Sequence, residues 1–200
     1  TLSAVNTAEF SPHVSEAVDR YLEANVDLAV RLGCEWVIVH AGYHFSAAED
    51  ARMEAALERL KRATGYAERQ GARLLLENLN LEPEKAEVHY QAHNVQECRY
   101  FFDAISSEAF GWAFTVNHAH LVPEDVQGFV DAFGVSRIGE VRLADNTGDY
   151  EVHMLPGEGN IDFPATFKRL EGDGYRGHYS MAFGTDSDKL KARDEFARMA

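Results

Sequence analysis

Short apolar runs that each end in polar residues, separated by stretches of helical periodicity, constrain this chain more than any other feature. The runs cover residues 36–40, 73–77, 111–116 with the tip Asn117-His118-Ala119-His120, 140–143 leading to Asp145-Asn146, and 177–183, with a weaker one at 1–5. Between them, apolar residues recur three and four apart over 13–32, 47–70, 94–105, 122–133, 163–170 and 188–199. Gly33, Gly71 and Gly134 sit where three of these helices should stop. Strands separated by helices pair in parallel through right-handed crossovers, which predicts an α/β fold. A doubly wound nucleotide binder would carry a glycine-rich turn after an early strand, and neither G-x-G-x-x-G nor G-x-x-x-x-G-K-[ST] occurs. Polar residues at one strand end after another suit a (β/α)8 TIM barrel, whose site is assembled from strand tips. A typical barrel has about 250 residues, so this chain of 200 is expected to be one domain, 1–200, that lacks the first strand and helix.

Thirty-three acidic and nineteen basic side chains give a formal charge of −14, which repels a phosphate backbone or an anionic bilayer and argues against nucleic-acid and membrane partners. No apolar run approaches the ~20 residues that cross a bilayer, so the expected location is cytoplasmic. Cys34 and Cys98 are too few for a disulfide framework and are read as small core residues. Trp36 and Trp112 fall at strand positions and are expected in the core. His44 and Phe45 are a candidate pocket wall, and His89, Tyr90 and His93 a candidate lid, with a solvated loop as the plainer alternative for both groups.

Glu77 follows three leucines, and a carboxylate buried there needs a cation or strong donors beside it. Other strand tips bring His40, Asn78, Asn117, His118, Arg142 and Asp145, and the next loop adds Glu151, His153 and Glu158. Each histidine alone is more often structural than functional. Their repeated place at strand ends marks a candidate site.

The order Val-His-Ala-Gly, Leu-Glu-Asn, Asn-His-Ala-His, Val-Arg-Leu-Ala-Asp-Asn and Pro-Gly-Glu-Gly-Asn-Ile-Asp-Phe resembles the sugar phosphate isomerase/epimerase superfamily, the xylose isomerase-like TIM barrels related to endonuclease IV. The resemblance runs from about residue 3 to 183. It implies a site with one divalent metal (Mn, Mg, Co or Zn) held by four side chains. Carried onto this chain, those positions are Glu77, which matches, and Thr115, Arg142 and Ala182, which do not. Arg142 is expected to neutralise Glu77 in place of the ion, so no cofactor is expected. A two-residue shift would instead leave Glu77, Asn117 and His153 as a poor site, with His120 taking the place of His118. The endonuclease branch would place zinc on His118, Glu151 and His153, giving Glu77, His118, Glu151 and His153 as the ligand set if a metal binds.

The resemblance implies an isomerase, epimerase or dehydratase acting on a small polyol or keto-sugar by proton transfer beside a carbonyl. Glu77 is then the candidate base, with Arg142 and His118 stabilising the enediolate. His40, Asn78, Asn117, Asp145 and His153 are candidate substrate contacts. The alternative is a non-catalytic barrel that binds a sugar or carboxylate.

Overall fold

In the computed structural model of the chain, the described residues are 5–45, 48–181 and 183–199. Helix α1 (Pro12–Leu32) starts after Ser11 with proline in its first turn and stops at Gly33 in the left-handed region, φ 74°. Strand β1 (Trp36–Val39) follows, then the two-residue β2 (Tyr43–His44), α2 (Glu49–Gln70), β3 (Arg73–Glu77) and the two-residue β4 (His89–Tyr90). The rest of the chain runs α3 (Val95–Ala104), β5 (Phe110–Thr115), α4 (Val116–Ala119), α5 (Asp125–Phe133), β6 (Ile138–Arg142), α6 (Phe163–Gly172), β7 (His178–Ser180) and α7 (Asp186–Met199). Asn94 caps α3 by accepting from the Glu97 amide while Glu97 reaches back to the Ala92 amide, a reciprocal cap visible in the sequence spacing.

Five strands form one parallel sheet in the order β1-β3-β5-β6-β7, and β2 pairs antiparallel with β4 as a separate ribbon. The sheet is a barrel arc. Its two outer strands curl toward each other, bringing the rings of Trp36 and His178 to 5.5 Å at the N-terminal ends of β1 and β7. Alternation along each strand splits the side chains between two faces. Leu74, Leu76, Phe110, Trp112, Phe114 and Val141 pack outward into the core beneath the helices, where Leu22, Val26, Leu60, Phe101 and Phe129 meet them.

The inward face holds Leu75 low in the arc and Glu77, Thr115 and Arg142 above it. Leu75 is fully buried, and glycines make room for it: a Cβ at Gly111 or at Gly139 would lie 2.7 Å from a Leu75 methyl. A register shift between Trp112 and Ala113, where β6 carries Gly139 as the extra residue, realigns Thr115 opposite Arg142. Arg142 in turn lies opposite Ser180 of β7.

Several expectations need correction. Val116 does not end β5; it begins the short helix α4, because Asn117 and His118 are turned sideways into hydrogen bonds with neighbouring loops. The candidate wall and lid segments pair with each other as the β2–β4 ribbon. Cys34 is exposed after the helix-ending turn, whereas Cys98 is buried. Trp36 is half-buried at the outer strand while Trp112 has no exposed surface. Residues 1–4 of the weak first strand and Ala182 lie outside the described residues.

The Leu75 contact gives a direct test of the interior packing. Gly139→Ala should lower stability by about 1–3 kcal/mol through overpacking, measured by urea unfolding. In a Leu75→Ala background the same substitution should cost much less, so the double-mutant cycle should show strong coupling.

Candidate active site

The C-terminal strand ends converge on Glu77. Pairing of Val39 with Leu76 sets His40 beside Glu77, and His40 Nε2 lies 3.1 Å from Glu77 Oε2. Arg142 Nη1 donates to the same oxygen at 2.6 Å, and the Thr115 hydroxyl donates to Oε1 at 2.8 Å. His118 Nδ1 lies 3.8 Å from Oε1. The carboxylate expected to need partners therefore has four. Burial alone would raise its pKa, but the hydrogen bond from His40 and the charges of Arg142, His118 and His40 outweigh it and hold the group at about 2.

A second cluster adjoins the first. His118 Nδ1 lies 2.8 Å from the Asn78 carbonyl, an acceptor only, so this nitrogen carries the hydrogen. The other ring nitrogen faces Glu151 Oε1 at 3.3 Å, and His153 Nδ1 lies 3.2 Å from that same oxygen. Asn117 Nδ2 donates to it as well, at 3.1 Å. Burial lowers the pKa of His118, yet the contacts with Glu151, then Glu77 and the Asn78 carbonyl, leave it raised above the ordinary histidine value.

His40, Glu77, His118, Arg142, Glu151 and His153 line a cavity of about 260 Å³ together with Tyr43, Leu79, Asn80 and Tyr90. That is below the range of about 300–1,000 Å³ common for drug-sized ligands and suits a small polar molecule. The β2–β4 ribbon forms one wall, with the Tyr43 and Tyr90 rings edge to face at 6.4 Å. Asn6 fixes that wall: its amide donates to the Tyr43 carbonyl and its oxygen accepts from the Tyr43 and Ala8 amides. On the opposite side the His153 ring packs against Phe183 at 5.4 Å.

Not every candidate residue reaches the cavity. His40, Glu77, His118, Arg142, Glu151 and His153 line it; Asn78, Asn117 and Asp145 do not. Asn78 is fully buried and braces β3 to β5, accepting from the Thr115 amide and the Trp112 indole and donating to the Thr115 carbonyl. Asp145 is also fully buried, and its carboxylate accepts from the amides of Asn146, Gly157, Gly159 and Ile161. It moors the Gly-Glu-Gly-Asn loop, so its carboxylate has no free place for a ligand. His120 points away, bound to Asp125 and Asn160. Tyr43 and Asn6 went unread in the sequence, since neither has a charge or motif to mark it.

The four-ligand metal arrangement implied by the resemblance does not fit the described residues. The Thr115 hydroxyl and the Arg142 guanidinium both donate to Glu77, placing a fixed cation against the one matching ligand. His118, Glu151 and His153 form a different set, with one donor atom from each within 4.8 Å of the others. Two imidazoles and a carboxylate suit zinc or a similar ion, and a histidine whose second nitrogen is held by a carbonyl is the common support for such a ligand.

Two outcomes test this electrostatic reading. Glu77 has a folded-state pKa of about 2 against an ordinary 4.5, so its contribution to stability is complete above pH 4.5 and is lost as pH falls toward 2. The stability gap between the wild type and Glu77→Gln, from thermal melts, should be widest at neutral pH and close toward the low end. Asp145→Ala should cost more than about 3 kcal/mol in chemical denaturation, because it strands buried amides that now share a charged acceptor.

Comparison with known proteins matches this architecture. The xylose isomerase-like TIM barrel family model covers residues 1–200. An uncharacterised protein of Methanocaldococcus jannaschii is 26% identical over 204 residues, spanning 96% of this chain and 65% of its own length. A putative hydroxypyruvate isomerase of Streptomyces coelicolor is 28% identical over 180 residues, spanning 87% of this chain and 61% of its own. The chain thus covers a little under two thirds of each of these relatives. Among solved structures, a D-tagatose 3-epimerase-like protein superposes with TM-score 0.86 at 24% identity, covering 98% of this chain and 73% of that one. A D-allulose 3-epimerase from Methylomonas sp., solved in complex with D-allulose, gives 0.77 at 18% identity, covering 99% and 74%. Its strand-end site, its parallel arc and this match over all 200 residues make the chain a member of the xylose isomerase-like TIM barrel family.

Proposed function

We propose that the protein is an isomerase or epimerase of small polyhydroxylated carbonyl compounds, working by proton transfer at the carbon beside the carbonyl. The observation that carries this reading is the convergence of Glu77, Arg142, His118 and His40 on one small cavity at the strand ends. Such chemistry needs a proton acceptor and donors that stabilise an enediolate oxygen. Arg142 supplies the donor; both ring nitrogens of His118 are already engaged, Nδ1 with the Asn78 carbonyl and Nε2 with Glu151. Nη1 of Arg142 donates to Glu77 and Nε lies 3.9 Å from a Glu140 oxygen, which leaves Nη2 for a ligand oxygen. The names of the relatives support the substrate class: keto-sugars and hydroxypyruvate are all α-hydroxy or polyhydroxy carbonyl compounds.

His118, Glu151 and His153 are the residues that would hold a divalent ion in this protein. When bound, such an ion supplies Lewis-acid polarisation of a substrate oxygen. Without it, the same three side chains orient one another and keep His118 directed at the cavity wall beside Glu77.

A second reading, a binding protein without turnover, draws on the saturation of Glu77 by His40, Arg142 and Thr115. One experiment separates the two. Purified protein is incubated in D2O with D-fructose, D-tagatose, D-allulose or hydroxypyruvate, and proton NMR follows deuterium incorporation and new products. Our reading expects exchange at the carbon beside the carbonyl for at least one compound, reduced about 100-fold or more in Arg142→Met. Saturable binding without exchange would establish the second reading instead. Metal analysis after dialysis, repeated on Glu151→Gln, should show any tightly held zinc or manganese lost with the carboxylate.

A further inference from the structure

We propose that His40, and not Glu77, takes the proton from substrate carbon, which makes the reaction a one-base isomerisation. This rests on the proposed function above and names the working group within the same site. The geometry begins with what Glu77 lacks. Its side chain is almost wholly buried, Oε1 accepts from Thr115, and Oε2 lies against both His40 and Arg142. A base needs an oxygen free to approach a C–H bond, and neither oxygen of Glu77 is free.

His40 has what Glu77 lacks. An ionised carboxylate can only accept, so the 3.1 Å contact requires Nε2 of His40 to carry the hydrogen. Nδ1 is then the only position on the ring that can take a proton, and among the described residues it has no hydrogen-bond partner. The side chain is about one-fifth exposed and lines the cavity. A carboxylate that fixes the tautomer and the plane of an imidazole, and faces the imidazolium formed during reaction, is the general arrangement of an oriented histidine base. The low pKa of Glu77 is consistent with an orienting anion.

The step balances within the substrate and this ring. The proton on the hydroxyl-bearing carbon passes to Nδ1, the C–H electron pair forms a C=C bond, and the carbonyl electron pair moves onto oxygen, whose charge meets Arg142. The neighbouring hydroxyl proton then passes to that oxygen, a new carbonyl forms at the first carbon, and His40 returns its proton to the second carbon. Nothing is consumed. One base on one face moves a proton between adjacent carbons, whereas inversion at a single carbon needs a donor on the opposite face.

The test combines ring NMR with catalysis. In histidine-labelled wild type, the ¹⁵N shifts of His40 should report a protonated Nε2 and a bare Nδ1. His40→Gln keeps a donor for Glu77 but cannot take a proton. It should lose deuterium exchange on the active compound of the panel by about 100-fold or more, while affinity for xylitol stays within about threefold. The products of the wild type should be isomers. An Nδ1–H tautomer in active wild type, exchange in His40→Gln within about threefold of wild type, or an epimer as sole product would each overturn the role of His40 and leave the proposed function standing. Failure of the wild type to exchange any compound would remove both.

Discussion

A carboxylate sealed inside a barrel arc must be given its counter-charge by the fold, and that requirement organises this molecule. Glu77 ends a leucine strand at a depth where water cannot solvate it, so three other strand ends are drawn to it. Arg142 arrives from β6, Thr115 from β5 and His40 from the end of β1. Each partner fixes the height and register of its own strand relative to β3. The realignment of β5 against β6 that sets Thr115 opposite Arg142 belongs to the same arrangement, since without it these two donors would not share a level. Removing the guanidinium would leave the buried Glu77 carboxylate with Thr115, His40 and His118 as its remaining partners, and the loss would exceed what the pair itself contributes.

The architecture was readable because strand and helix periods alternate cleanly. The left-handed ends at Gly33 and Gly71 and the cap at Asn94 stand where the sequence signals put them. The Glu77–Arg142 contact was also legible, from a buried carboxylate and an arginine standing at corresponding strand tips. Other features were not. The α4 turn was hidden inside an apolar run because Val116 favours strand, and tertiary hydrogen bonds to Asn117 and His118 override that preference. Asn78 and Asp145 looked like ligand contacts because polar residues at strand ends usually are. In the folded chain Asp145 spends its carboxylate on main-chain amides, and Asn78 divides its amide between the Thr115 main chain and the Trp112 indole.

That last distinction separates two kinds of polar residue at the same barrel end. Asn78 and Asp145 are inside the wall, joining β3 to β5 and the 157–161 loop to β6. His40, His118, Glu151 and His153 stand in front of it, bonded to side chains more than to main chain. The inner set gives rigidity to the outer, because His118 hangs from the Asn78 carbonyl while the Asn78 amide is held by Thr115. The fixed positions of the cavity side chains thus come from buried amides set behind the cavity wall.

The rim of the cavity is pinned on both sides. Loops after β1 and β3 are stitched to each other as a ribbon, and the loop after β6 is moored by the Asp145 carboxylate. Lengthening any one of them would tear a partner away from its anchor. Descendants of this sequence would therefore acquire new ligand preferences chiefly by exchanging side chains on an unchanged backbone outline, with the cavity-lining Tyr43 and Tyr90 as the places for such exchange.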